Sequence, residues 1–124
     1  MTELLYEDLT AKVRQSAFEV HEYFRNGFLE KVYENALAYK LKKQSINCEQ
    51  QVPLKVYFED QVVVGEYIAD LVVENKIIIE LKTAENLDKI HFAQVKNYLK
   101  ATGYRLGLLI NFGKITLEFK RIII

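Results

Sequence analysis

The sequence predicts an α/β fold, a sandwich of flanking helices around a mixed central β-sheet, on three observations. Helical periodicity opens the chain, strand-like apolar runs fill its middle, and a further helical segment separates these from two more runs at the end. Strands clustered before a crossover helix, and continued after it, pack as one sheet covered by helices. The chain has 124 residues, half of them hydrophobic. That length suits one domain, residues 1–124, with a single core.

The elements follow in order. Leu5, Leu9, Val13, Ala17, Val20 and Phe24 recur every three or four residues and predict a helix from about residue 4 to 24, ended by Asn26-Gly27. A second helix carries Leu29, Val32, Tyr33, Ala36, Leu37 and Leu41 as its apolar stripe and ends near Gln44-Ser45. Strands are expected over roughly 47–58, 62–74 and 76–83. Glu59-Asp60 makes the first turn and Gly65 marks a bulge. Pro53 confines the first strand to an edge or breaks it. A third helix, about Asn86 to Thr102, stops at Gly103. Buried strands at Leu106–Phe112 and Ile115–Ile124 complete the order α-α-β-β-β-α-β-β, with a turn at Gly113.

Composition removes several classes of function. No apolar run approaches the roughly 20 residues of a transmembrane helix, and the first residues lack the pattern of a secretion signal. Cys48 is the single cysteine, so neither an internal disulfide nor a cysteine zinc cluster can form. A cytoplasmic protein without membrane contact is the expectation. The formal net charge of zero argues against an architectural coat for nucleic acid, yet leaves room for an enzyme that touches a few phosphates. Lys40, Lys42 and Lys43, the densest basic group, read as a solvated helix end.

The chemistry concentrates in a predicted hairpin. Residues 67–73 read Tyr-Ile-Ala-Asp-Leu-Val-Val and residues 76–82 read Lys-Ile-Ile-Ile-Glu-Leu-Lys. An ionised group in so apolar a strand costs several kcal/mol unless compensated. Glu80 and Lys82 share a face of their strand. With the turn centred near Asn75, Asp70 stands opposite Glu80, Cβ atoms about 4.5–5.5 Å apart. A slip of one residue would send Asp70 to the other face. Two carboxylates then meet beside an ammonium, and unrelieved one of them holds a proton. A hard divalent cation such as Mg²⁺ relieves the repulsion. The alternative is a buried salt bridge to Lys82, which leaves one acid unpaired.

Other candidates are less specific. His91, Gln94 and Tyr98 stack on one face of the third helix, directly after the strand bearing Glu80 and Lys82. An exposed Gln94, a core Tyr98 and a satisfied His91 are the plain alternatives. Glu30 at the start of the second helix, and His21 late in the first, each suit the helix dipole without any functional role.

These residues also carry a resemblance. Asp70 with Glu80-Leu81-Lys82 resembles the Asp…Glu-x-Lys signature of the PD-(D/E)xK nuclease superfamily. Gly27-Phe28-Leu29-Glu30-Lys31-Val32-Tyr33 is similar to the Gly-x-x-Glu-x-x-Tyr element of its GxxExxY family. Glu19-Val20-His21, Ala69-Asp70-Leu71, Gln94 to Leu99 and Gly107 to Gly113 resemble further stretches of that family, in the same order. The likeness implies a restriction-endonuclease-like fold and an Mg²⁺-dependent nuclease, with Mn²⁺ as a substitute, acting on DNA rather than RNA. It implies Asp70, Glu80 and the Leu81 carbonyl as metal ligands, Glu30 as an additional acid and Lys82 as the catalytic lysine. Gln94 with Tyr98 resembles a Gln-x-x-x-Tyr helix motif that supports site or substrate, and Tyr33 and His21 fall in supporting positions. Two departures stand out. Tyr23-Phe24-Arg25-Asn26 lacks the Gly-Pro-Gly type of turn, and Ala69 replaces the proline before Asp70.

Two further readings compete. The same fold can serve as a nucleic-acid-binding module with weak or lost chemistry, or as an interaction subunit. For the latter, Arg121-Ile122-Ile123-Ile124 offers an apolar edge for pairing in a homodimer, unless it is simply the last core strand.

Overall fold

The protein is described here by a computed structural model covering residues 5–124. Eight elements follow the predicted order: α1 Glu7–Phe24, α2 Glu30–Lys43, β1 Cys48–Phe58, β2 Val62–Val73, β3 Ile77–Lys82, α3 Lys89–Thr102, β4 Leu106–Asn111 and β5 Glu118–Ile123. The strands form one mixed sheet in the order β1-β2-β3-β4-β5, parallel only between β3 and β4, which α3 connects. The restriction-endonuclease-like α/β sandwich expected from the sequence is the fold observed.

The sheet is covered on both sides. Leu71, Val73, Ile77, Ile79 and Leu81 join Val13, Ala17, Tyr33, Leu37 and Leu41 of α1 and α2 in one core. The intervening Val72 and Ile78 face Val95, Tyr98 and Leu99 of α3 in the other. This alternation explains the unbroken apolar runs, because strands buried on both faces have no solvent side to mark with polar residues. Each buried Ile or Leu contributes about 1.5–3 kcal/mol, so β3 is an anchor of the molecule.

Turn chemistry sets the register. Glu59-Asp60 and Glu74-Asn75 all have φ between 52° and 56°, and bonds from Gln61 N to Phe58 O and from Lys76 N to Val73 O close the turns. Left-handed backbone at both central residues matches the twist of antiparallel strands. The second turn gives the pairs Val73↔Ile77, Val72↔Ile78 and Leu71↔Ile79, the register centred on Asn75. β1 is an edge strand that accommodates Pro53, and the β1–β2 register shifts between Val56 and Tyr57, opposite Gly65 and Val63.

Helix boundaries differ from expectation by a few residues. The predicted start of the first helix at residue 4 lies outside the described residues; Leu5 and Tyr6 form a turn, and α1 begins at Glu7. It ends at Phe24, where Arg25 takes a left-handed φ of 59° before Gly27 is reached. Leu29, assigned by the sequence to the apolar stripe of α2, is its N-cap and 81% exposed. Its place in the core is taken by Tyr33, one turn on, and Leu37, two turns on. α3 starts at Lys89 rather than Asn86, where His91 Nδ1 accepts the Asp88 amide at 3.0 Å and satisfies a helix-end donor.

Candidate active site

β2 and β3 separate just past Leu71↔Ile79, and side chains take over the bonding. The Asp70 amide donates to Glu80 Oε1 at 2.9 Å, and the Leu81 amide donates to Asp70 Oδ2 at 2.8 Å. The two carboxylates therefore interlock across the gap. Strand geometry turns the N–H and C=O of one residue towards the same edge, so the Leu81 carbonyl faces the β2 side with its amide, while Lys82 O accepts from Phe112 N of the β4 end at 2.8 Å.

Burial raises the cost of charge here. Glu80 is only 3% exposed; burial first, and the Asp70 charge second, push its carboxyl up to about 8. Asp70 is raised by burial, and the Leu81 N–H opposes the shift without cancelling it. Glu30, at the first residue of α2, is raised by burial too, with Lys82 lowering it and Asp70 and Glu34 raising it. Lys82 acts on all of Glu30, Asp70 and Glu80. The salt bridge offered as an alternative does not form: the ion pairs among the described residues are Lys31–Glu34, Lys40–Glu19 and Lys114–Glu118. The structure thus brings together an acidic cluster whose negative charge its own cation does not balance.

A cavity of about 430 Å³ opens beside Lys82, lined by Tyr67, Ile90, His91, Gln94, Asn97 and Tyr98 among others. Gln94 Nε2 donates to the Tyr98 hydroxyl at 3.0 Å. Burial, and Glu80 after it, lift that phenol to about 12. Tyr67 and Tyr98 rings lie 5.2 Å apart, inclined by 37°. The predicted face of α3 therefore lines this cavity, and His91 caps the helix as well.

A match to a family model of the PD-(D/E)XK nuclease superfamily extends over residues 7–122. The chain belongs to the PD-(D/E)XK nuclease superfamily. Its members are generally nucleases, acting on nucleic acid and typically using divalent metal ions. The crystal structure of SSO0001 is similar, with 22% sequence identity and a TM-score of 0.60 over 95% of this chain. This likeness is one of fold, and the chain spans 59% of the length of that protein. No curated protein matches the chain.

Two other sequence candidates, Tyr33 and His21, lie outside the lining of this cavity. Tyr33 is fully buried; its hydroxyl donates to Arg25 O at 2.6 Å and accepts from Phe28 N at 3.2 Å, and its ring stacks on Phe112 at 4.6 Å. It clamps the loop that delivers Glu30. His21 is buried against the Lys114 carbonyl at 2.8 Å and lines no part of the cavity beside Lys82.

Three residues outside the sequence candidates, Glu34, Gln50 and Gln51, adjoin the acidic cluster. Glu34, one helical turn after Glu30, is 3% exposed and bonded by Gln50 Nε2 and Gln51 Nε2, each at 2.8 Å. Like-charged residues at i and i+4 were the available signal, since such a pair disfavours an isolated helix. Among the described residues no group of three His, Cys, Asp or Glu side chains is close enough to hold a metal ion. The donor set present, two interlocked carboxylates with a backbone carbonyl, nonetheless fits Mg²⁺, which is commonly held by one or two carboxylates, waters and substrate phosphate.

Proposed function

We propose that the protein is an Mg²⁺-dependent nuclease of the GxxExxY branch, hydrolysing phosphodiester bonds in DNA. The observation that carries this reading is the interlocked Asp70–Glu80 pair, whose burial drives Glu80 to about 8 beside a lysine that bridges to neither acid. A cluster short of positive charge is what a divalent cation completes, and Asp70, Glu80 and the Leu81 carbonyl would hold it, with Glu30 adjacent. When bound there, the ion supplies polarisation of a phosphodiester oxygen and a water of lowered pKa.

The chain's own groups do the rest. Lys82 orients the attacking water and donates to the negative charge that develops on the phosphoryl oxygens. Gln94, held against Tyr98, steadies the wall of the cavity. The partly exposed ring of Tyr67 offers a stacking surface for a base next to the scissile phosphate, with the Asn97 amide on the same wall. Tyr33 supports Glu30 through its loop.

Purified protein with Mg²⁺ or Mn²⁺ should cleave labelled single-stranded, duplex or branched DNA. Lys82→Ala and Glu80→Ala should each slow cleavage at least about 100-fold. Cleavage that persists in both variants would belong to a contaminant and end the proposal. A second reading, a nucleic-acid-binding module without turnover, is favoured by the lack of a tighter ligand group among the described residues. It predicts metal-independent DNA binding by calorimetry and no product.

A further inference from the structure

The backbone of β1 does something unusual at Gln51. Side chains of successive strand residues point to opposite faces, yet Gln50 and Gln51 both reach the carboxylate of Glu34, each at 2.8 Å. They do so because Gln51 has φ 52°, left-handed backbone inside a strand. The β1–β2 pairing runs Gln50↔Leu71 and Val52↔Ala69, and is interrupted at the step where Gln51 would face Asp70. Gln51 Nε2 lies 3.5 Å from Asp70 Oδ1, while Oδ2 of the same carboxylate is taken by Leu81 N. The polar contacts of Asp70 thus come from β1 and β3, and Glu34 of α2 reaches it only through Gln51.

We infer that Gln51 is a positioning residue for Asp70, and that Glu34 is the buried anchor which aims it. The inference rests on the nuclease reading only for its consequence, not for its geometry. An amide NH₂ has one hydrogen for each carboxylate. Donating the first to buried Glu34 fixes the direction of the second, which limits rotation of Asp70 while leaving Oδ1 only lightly engaged. A neutral donor suits this place. A lysine or arginine would form a full ion pair with Asp70 and compete with any cation, whereas an amide orients the acid and leaves its charge unspent. Lys31 completes the anchor, bonding Glu34 at 3.1 Å on the side exposed to solvent. The left-handed residue supports the same view: glutamine gains nothing from that conformation, so a strained backbone is retained where a function depends on it.

Gln51→Gly separates fold from function, because glycine adopts positive φ freely and removes only the amide. The variant should stay folded, its urea midpoint near the parent's, as relief of the positive φ offsets the lost bond to Glu34. In metal-free protein, ¹³C NMR should show a shifted Asp70 carboxyl resonance in both Gln51→Gly and Glu34→Gln. The Gln51 side-chain amide protons should lose their protection from exchange in Glu34→Gln. Mn²⁺ binding, followed by calorimetry, should weaken about 10- to 100-fold in Gln51→Gly, as loss of a residue that orients a ligand commonly does. An Asp70 resonance unmoved in both variants overturns the inference whatever the metal result. Mn²⁺ affinity unchanged in Asp70→Asn would instead sink the metal-site reading, and the NMR result would still decide the positioning role by itself.

Discussion

Glu80 is a carboxylic acid with one oxygen committed to the Asp70 amide, almost no water around it and a second carboxylate alongside. Its elevation to about 8, from an ordinary 4.5, makes it a debit to stability at neutral pH. Below pH 4.5 the acid is protonated in the folded and unfolded chain alike. Between about 4.5 and 8 the unfolded chain has released the proton and the folded chain retains it, so stability falls as pH rises. Above 8 the loss is complete. Glu80→Gln keeps an acceptor for the Asp70 amide and has no charge to desolvate. Urea titrations should find the variant equal to the parent near pH 4.5 and more stable by about 4 kcal/mol at pH 8, each unit being worth about 1.4 kcal/mol. Equal stability at both pH values would contradict the elevation. Residues that weaken the fold while serving the site are a familiar exchange.

At this scale the sequence singled out Asp70, Glu80, Lys82 and Gln94 but not Glu34, Gln50 or Gln51. Asp70, Glu80 and Lys82 are legible because each interrupts a dry strand, where a charge has no ordinary reason to sit. Glu34 reads as one more polar position on an amphipathic helix, and its partners lie 16 and 17 residues away on a strand with polar neighbours. Nothing in glutamine's own preferences announces left-handed backbone at Gln51.

Among the elements, the site depends on how the β3–α3 connection is held. Asn111, fully buried at the end of β4, donates to Ala84 O at 2.9 Å and accepts from Ala84 N at 3.0 Å. It also accepts from Gly113 N at 3.0 Å, tying the segment after Lys82 to the turn before β5. Gly113 closes the same knot: a Cβ there would stand 2.5 Å from Thr83 C and Ala84 N. Backbone cannot yield to such an overlap as a flexible side chain can. Gly113→Ala should therefore destabilise by about 2–4 kcal/mol, read as a fall in thermal midpoint. A midpoint unchanged within a degree would refute the tight-approach account. Element existence and order were legible because buried runs and helical stripes are long; Leu29 and the starts of α1 and α3 were not, because end residues are decided by capping contacts such as His91 to Asp88.

Across the whole molecule, charge and apolar surface are unevenly used. The net charge of zero places no broad positive field over the protein. No helix among the described residues is long and apolar enough to cross a membrane. Ile122 is buried in the core on the α3 side while Ile123 and Ile124 are half exposed, so the last strand serves the core first. Arg121 ties that strand to Thr10 Oγ1 at 2.9 Å and to Leu5 O at 2.7 Å.

β2 is 12 residues long, but β3 pairs with only its last three, Leu71 to Val73. The remainder stands with β1 as a two-stranded ribbon carrying Tyr57, Phe58, Val62, Val63 and Ile68 in contact with solvent. Along Gly65–Ala69, past the register shift, backbone hydrogens that point towards β1 are locked in a ladder, and those pointing the other way have no neighbouring strand. Deuterium uptake there should consequently alternate, slow at one peptide group and fast at the next, a comb-like trace that would vanish under any partner adding a strand to that margin.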